Sequence, residues 1–419
     1  MAQPSVIVVG AGIVGMSAAL ALRMRGLPVT VVDRQAPGHG TSFGNAGTFA
    51  TYEVQPIATP GILRNVPRML LDPSGPLAIR WQYLPRLLPW LARFVAASAP
   101  STVERITREL ASLTSRADEG YRPLFEVAGA TDLIRREGAL YVYTRTGAQD
   151  VRRRAEEYRS RGVCAVPLER GELEELEPNL SPDCIRGLLY PDAFHTVSPL
   201  ALTERFVQAF LGLGGTIEQA EVAAIDAAPD GERVVLRDGR VLTAERVVLA
   251  AGVWSRALAA GAGARVPLDT ERGYHLVFPG AGNLLRRPVC WYERGFYVTP
   301  MADGLRVAGT VELGGTEAPA RAVRLRALER GVRALLPVQG APASEWMGFR
   351  PSMPDSKPVI GAMPGRPSVI HAFGHGHLGL TLAGITGRIV ADLVTGAPPP
   401  LDVGAFSPTR FARRVSAAG

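Results

Sequence analysis

The sequence predicts an α/β protein with a Rossmann-like dinucleotide-binding domain. A second, α+β lobe is expected on a mainly antiparallel sheet. Three observations lead there. Residues 6–33, VIVVGAGIVGMSAALALRMRGLPVTVVD, read strand, glycine turn, helix, strand and terminal acid. A second strand–glycine–helix unit closes the chain near 368–394. Between them, residues 216–310 carry short runs rich in aromatic and β-branched residues, the pattern of an antiparallel meander. The length, 419 residues, suits two lobes better than one core.

Taken in order, Val6–Val9 is apolar throughout, as a buried parallel strand requires. Gly10, Gly12 and Gly15 then follow in G-x-G-x-x-G spacing, giving a tight turn, close approach to a pyrophosphate, and close helix–strand packing. Ile13 and Val14 open the next helix, whose free N–H groups and positive dipole end face that phosphate. Val29–Val32 is the second strand, and Asp33 at its tip suits ribose hydroxyls. This is a Rossmann-like unit. Residues 35–60 read as loop, and 60–125 as helices punctuated by Pro67, Pro73, Pro76, Pro85 and Pro89. A strand ends at ALYVY (139–143), a charged helix covers Gln149–Arg161, and another covers Pro199–Leu213. Thr216–Ala224 reads as one strand, and Asp238-Gly239 as a type I′ hairpin turn. Arg246–Ala250 is a buried strand, and 273–278, 288–299 and 305–310 are further strands. Leu325–Leu336 is a helix, Ser368–Ala372 the last strand, and Thr381–Val394 the final helix. The proline-rich tail from Gly396 is expected on the surface. The dinucleotide domain is thus assigned to 1–55, 190–265 and 345–396, the second lobe to 56–189 and 266–344, and the tail to 397–419.

Composition excludes several classes. The net charge is +7, but Lys357 is the sole lysine and the arginines are scattered with no nucleic-acid-binding motif. Three widely spaced cysteines, Cys164, Cys184 and Cys290, form no C-x-x-C and suit a reducing compartment rather than a disulfide framework or zinc site. Only MAQPS precedes the first strand, so no signal peptide is read. The expected location is the cytoplasm, with peripheral contact at the inner membrane left open. Oligomeric state is not legible.

Two further segments carry chemistry. In FGHGHLGLTLAGITG (373–387), small residues join a strand to a helix, so backbone N–H groups converge where a flavin accumulates negative charge on reduction. His375 and His377 lack a third ligand at fitting spacing, and no metal is expected. In GFRPSMPDSKPVIG (348–361), Arg350 stands just before the cofactor strand, placed to grip an anionic substrate through a bidentate guanidinium.

Together GAGIVG with Asp33, TSFGNAG (41–47), VVLAAGVWS (247–255), GFRP with PDSKPVIG, and FGHGHLGLT resemble the D-amino-acid oxidase superfamily of flavoproteins, nearest its bacterial D-amino-acid dehydrogenase branch. The motifs keep the family's order and span nearly the whole chain. The resemblance implies a glutathione-reductase-type FAD domain. Gly10, Gly12 and Gly15 would hold the pyrophosphate; Asp33 and Arg34 would meet the adenosine ribose. Thr41, Ser42, Asn45, Ala46 and Gly47 would approach the pyrophosphate and isoalloxazine. Val222 would meet adenine, with Ala251, Gly252 and Trp254 alongside. Gly374, Gly376, His377, Leu378, Gly379, Leu380 and Thr381 would contact the flavin's pyrimidine end. Phe43 and Gly44 stand where a linking histidine would be expected, so FAD is expected to be non-covalent, with His39 the nearby exception.

The same resemblance assigns Arg350 to the substrate carboxylate. Tyr274, His275, Tyr292 and Tyr297 are the remaining pocket candidates; Tyr274 and His275 alternate faces, so only one can point at the flavin. It implies oxidation of a D-amino acid, small or cyclic such as D-proline or 4-hydroxy-D-proline, with the α-hydrogen leaving as hydride to flavin N(5) and electrons passing to a quinone or other carrier. Three alternatives are a sarcosine- or glycine-oxidase-like enzyme using oxygen, a flavin-carrying subunit of a hetero-oligomer, and an NAD-linked dehydrogenase. In residues 81–98, Leu84, Leu87, Leu88, Leu91, Phe94 and Val95 follow helical spacing with Arg86 and Arg93 opposite. That pattern fits packing on the second lobe or, alternatively, a membrane surface.

Overall fold

The computed structural model describes residues 5–72 and 75–411. Its first sheet has six strands, in the order Thr216–Gln219, Val29–Asp33, Val6–Val9, Arg246–Leu249, Arg366–Phe373 and Val359–Met363. The first five run parallel and the last is an antiparallel hairpin partner. Alternation sorts the side chains. Val6, Val8, Val29 and Val31 pack under the helices Ile13–Met24, Pro199–Gly212 and Gly379–Thr395. Ile7, Val9 and Val32 face the other way, onto the meander Val222–Ala228, Gly231–Leu236 and Val241–Ala244. Both faces are therefore covered, which explains why the strands read as unbroken apolar runs.

The second sheet has nine strands. From one edge it runs Ser344–Ser352, Asp269–Phe278, Gly304–Leu313, Phe296–Met301, Val289–Trp291, Ala139–Tyr143, Arg186–Tyr190 and Val166–Glu169, with Leu77–Ile79 pairing beside Gly304–Leu313. It is antiparallel except where Val289–Trp291 meets Ala139–Tyr143 and where Leu77–Ile79 joins. The helix Ala322–Leu335 covers one face and contributes Leu325, Leu328, Val332 and Leu335 to that core. The cavity described below opens on the other face.

Several expectations are corrected. The stretch 216–224 is two strands in two sheets, Thr216–Gln219 and Val222–Ala228. At the Asp238-Gly239 turn only Gly239 has positive φ, at 88°. A type I′ turn needs two such residues, so the hairpin closes instead through a turn from Leu236 capped by the left-handed glycine. Ser344–Ser352 is an edge strand of the large sheet rather than part of the dinucleotide domain. The tail is no loose surface strand: Phe406 is fully buried and Arg410 bonds both Asp355 and the Lys357 carbonyl. Its last residues, 412–419, and residues 1–4 lie outside the described residues. The closing helix, together with the short turn before it (Gly376–Thr395), is long and apolar enough to cross a membrane, yet most of it is buried in the protein core.

Candidate active site

One cavity of about 690 Å³ runs from the tips of the parallel strands to the exposed face of the large sheet. At its first end Gly10, with φ 111°, turns the chain so tightly that a Cβ would sit 2.4 Å from the Ala250 carbonyl oxygen. Gly15 lies behind this turn rather than in the cavity, where a Cβ would come within 1.9 Å of the Gly10 oxygen. Gly12, Ile13 and Val14 line the cavity, and the helix that starts there has no acidic residue in its first turn and no side-chain cap. Beyond Ile13, the N–H groups of this first turn are left for an anion. Ser42 Oγ accepts from Ile13 N at 2.9 Å and ties the following loop to this helix.

Asp33 lines the same end; its two oxygens accept from Ala11 N at 2.7 Å and Gln35 N at 2.9 Å, which fixes the carboxylate in place. Arg34 lies 3.8 Å over the Trp254 ring, and both line the cavity with Val222, Ala251 and Gly252. Gly252 has φ 57° and a Cβ there would meet nothing within 4 Å, so the open space begins at the backbone itself. These features fit a dinucleotide: a helix start with open N–H groups beyond Ile13 for the pyrophosphate and a fixed acid for the ribose.

Further along, Thr41, Ser42, Asn45 and Ala46 line one wall, and Gly376, His377, Gly379 and Leu380 the opposite end. Thr41 Oγ1 donates to the Phe349 carbonyl at 2.8 Å, and Arg306 Nη1 donates to the carbonyls of Phe43 and Asn45 at 2.9 and 3.0 Å. The loop is thus pinned to the large sheet. Four of the expected contacts stand behind the wall. Gly47 (φ 74°) makes the turn into Thr196, Gly374 (φ 79°) packs on Met353, Leu378 is core, and Thr381 Oγ1 accepts from Ala50 N at 3.0 Å. His39 is exposed, turned back onto the Pro37 carbonyl, and does not line the cavity.

The floor beyond is the large sheet, and register decides what faces it. Trp346, His275, Ala308, Tyr297, Cys290 and Tyr141 form one cross-strand row. Five of them line the cavity. His275 shares the row but is covered: Trp346 stacks on it at 5.1 Å, Phe43 at 6.0 Å, and its Nδ1 lies 3.3 Å from the Gly44 carbonyl. Burial, followed by the charge of Arg306, holds its pKa down to about 4. Tyr274 points to the opposite face, where its hydroxyl bonds the buried carboxylate of Glu312. Neither residue of the pair therefore reaches the cavity, which corrects the expectation that one would. Glu312 is shared with Arg80 and Arg272, and that buried charge cluster fixes which way this strand faces.

Arg350 does reach it. Its strand register places Gly348 beside Gly273, and the guanidinium lies across Gly273, where a Cβ would come within 2.4 Å of Cζ. Trp346 lies likewise across Gly348, at 2.0 Å from a Cβ built there, and against Gly44. Arg350 Nη1 donates to the Thr310 carbonyl at 2.9 Å, and Thr310 is itself held at φ 61°. Burial pulls the guanidinium pKa below its ordinary value and the nearby Glu271 pushes it back up. Arg350 makes no ion pair among the described residues, so its remaining N–H groups are available to an anion in the cavity.

At the far end Tyr292 and Tyr297 line the cavity with Glu53, Tyr141, Tyr158 and Arg154. Arg154 lies 4.3 Å over the Tyr292 ring. Sequence reading missed Glu53, Tyr141, Arg154, Glu271, Gly273, Gly348 and Trp346. Only Gly273 carried a signal, since a glycine inside a strand pattern marks close approach.

Fold and cavity define a two-lobed dinucleotide-binding α/β protein with an arginine facing its ligand space. The chain belongs to the FAD-dependent oxidoreductase family known as DAO, whose family model matches residues 5–393. It is 34% identical to a D-amino-acid oxidase of Bradyrhizobium diazoefficiens over 97% of this chain and 98% of that one. It is 33% identical to a D-amino acid dehydrogenase of Paramagnetospirillum magneticum, again over 97% and 98%. Among solved structures, glycine oxidase from Geobacillus kaustophilus superposes with a TM-score of 0.74 at 24% identity, covering 98% of this chain and 99% of that one, a likeness of fold. The cofactor is FAD.

Proposed function

We propose that the protein oxidises D-amino acids to imino acids and passes the electrons to a quinone or similar carrier. Its relatives' activities support this reading, and the observation that carries it is Arg350, a cavity-facing guanidinium without an ion-pair partner among the described residues. FAD, held non-covalently by the residues around Gly10, Gly12, Asp33 and Gly376, supplies the two-electron acceptor. The chain's own residues do the positioning. Arg350 clamps the α-carboxylate, and Gly273 and Gly348 leave room for its guanidinium and the Trp346 ring to lie flat on the sheet beneath the substrate. Orientation of this kind replaces a collision with an intramolecular step. The amine must lose its ammonium proton, which desolvation beside a cation favours. The Cα–H bond then breaks with its electron pair, and the nitrogen lone pair closes the C=N bond. Primary imino acids hydrolyse to 2-oxo acids and ammonia.

The test is anaerobic bleaching of the flavin absorbance with a panel of D- and L-amino acids, proline and sarcosine included. D-amino acids should bleach it. Bleaching by L-amino acids or sarcosine alone would overturn the reading. Arg350→Ala should remain yellow but need about 100-fold more substrate, the worth of one charge-assisted bidentate pair at about 3 kcal/mol. An unchanged half-saturation would remove Arg350 from the site.

The carrier side of the proposal rests on the helix Leu84–Ala97, which we propose docks on anionic lipid. Leu87, Trp90 and Ala97 are buried, and Trp90 Nε1 donates to the Ser352 carbonyl at 3.2 Å. The opposite side is also apolar. Leu88 (55% exposed) and Val95 (52%) lie on it, and Trp81 (67%), in the turn before the helix, continues their seven-residue spacing, with no acid in the segment; the exposed Arg86 and Arg93 flank the buried side. This is the composition of an interfacial helix.

A further inference from the structure

We propose that Glu53 is the specificity determinant of this enzyme, a carboxylate that accepts a hydrogen bond from a neutral hydroxyl on the side chain of the substrate. The proposal rests on the D-amino-acid reading and sharpens it to hydroxylated D-amino acids.

Glu53 lies in a short loop whose neighbours are buried, and it lines the cavity at the end away from the dinucleotide turn. Its Oε1 accepts from Tyr141 and, at 3.4 Å, from Tyr297. Tyr52 and Tyr141 hydroxyls lie 3.1 and 3.0 Å from that of Tyr297, which completes a phenol network on one oxygen. Burial, aided by the carboxylate itself, raises the pKa of Tyr141 and Tyr52, and burial chiefly that of Tyr297, so all three hydroxyls stay protonated. Tyr141 and Tyr297 thus fix Glu53 in one orientation, with Tyr52 holding the Tyr297 hydroxyl. Its second oxygen, Oε2, has no partner among the described residues. Such an acceptor, held in a largely apolar pocket, is costly to leave unmatched by a ligand.

The position selects a side chain rather than the α-amine. Arg350 lies over Gly273, while Tyr297 stands two strands further across the same sheet. It also stands two residues along, level with His275, so at about 4.8 Å per strand and 3.4 Å per residue the backbones are roughly 12 Å apart, and the side chains reach into that space from both ends. With the α-carboxylate at Arg350, the α-nitrogen falls short of Glu53, and a short side chain or a small ring bridges the gap. Arg154 decides the charge of the donor. It lines the same end and forms no ion pair with Glu53 among the described residues, so that end of the pocket already holds a cation of its own. A second cation on the ligand would meet it, whereas a hydroxyl donates without adding charge.

The experiment compares kcat/KM with an artificial electron acceptor for two matched pairs, 4-hydroxy-D-proline against D-proline and D-serine against D-alanine, with D-lysine against D-norleucine as the cationic arm. At least one hydroxylated substrate should be preferred by about 10-fold or more over its partner. In Glu53→Gln the phenols hold the amide oxygen and turn the NH2 group to the cavity, a donor where an acceptor stood. The hydroxyl preference should fall below about 3-fold there. A general folding defect lowers both members of a pair and leaves their ratio alone, and the wild-type ratios decide the matter should the variant not accumulate. Equal use of both members of each pair in the wild type, or a ratio that Glu53→Gln leaves intact, overturns the role of Glu53 but not the D-amino-acid reading. A preference for D-lysine that vanishes in the variant overturns the choice of a neutral donor. Failure of every D-amino acid overturns both.

Discussion

At the scale of single residues, the absence of a side chain matters as much as its presence. Gly273 offers Arg350 a place to lie, and a methyl group there would sit 2.4 Å from the guanidinium carbon. Gly273→Ala should therefore lower kcat/KM about 10- to 100-fold, mainly through KM, without removing a single functional group. Steady-state kinetics on the yellow variant decide it; wild-type KM would show that the arginine binds elsewhere. Arg350 was legible because its glycine–proline setting and its place before the cofactor strand are both written in sequence. Tyr274 and His275 were not. Their facing depends on a bulge between Arg272 and Tyr274 and on the buried Glu312 charge cluster, and those partners lie some forty residues away. Glu53 was hidden for a similar reason. It sits in a loop, and only the sheet register brings Tyr141 and Tyr297 to it.

At the scale of elements, the helix Leu84–Ala97 shows what periodicity reveals and what it conceals. Its 3.6-residue rhythm was readable despite Pro89 within it. Which of its two apolar sides faces inward was not, because Leu313 and the Ser352 carbonyl, which receive Leu87 and Trp90, are supplied by distant strands. Leu88 and Val95, expected to share the packed face, point outward instead. Co-sedimentation with phosphatidylglycerol-containing vesicles should capture the protein, and the double substitution Trp81→Gln, Leu88→Gln should weaken that capture at least about 10-fold, given about 25 cal/mol for each Å² of apolar surface withdrawn from water. Equal capture of both proteins would leave the arginines alone as the attraction, and no capture of the wild type would end the lipid proposal.

At the scale of the whole molecule, parallel strands with apolar runs and glycine punctuation made the dinucleotide half legible, whereas the nine-stranded order was not, since most of its pairings join distant segments. The buried histidines report on the assembled fold. Burial holds His195, His275 and His371 down to about 4 and His375 to about 3. An unfolded histidine titrates near 6.5. Between these values the unfolded chain binds protons that the folded one refuses, so stability rises with pH through the window and is lost as pH falls from about 6.5 towards 4. Calorimetry should find Tm lower at pH 5 than at pH 7.5. His371→Leu should flatten that drop, because the His371 ring is fully buried with neither nitrogen bonded among the described residues. A Tm that ignores pH would contradict the burial of these rings. One last consequence comes from the edge strand Ser344–Ser352. It carries Arg350, and its end forms a β-bridge from Ser352 to His375, next to Gly376. Grip and cofactor cradle are therefore riveted together by neighbouring backbone. Any breathing of the outer helices would change how fast molecules enter and leave, while the span from clamped acid to redox partner stays the same, like the fixed jaw of a caliper.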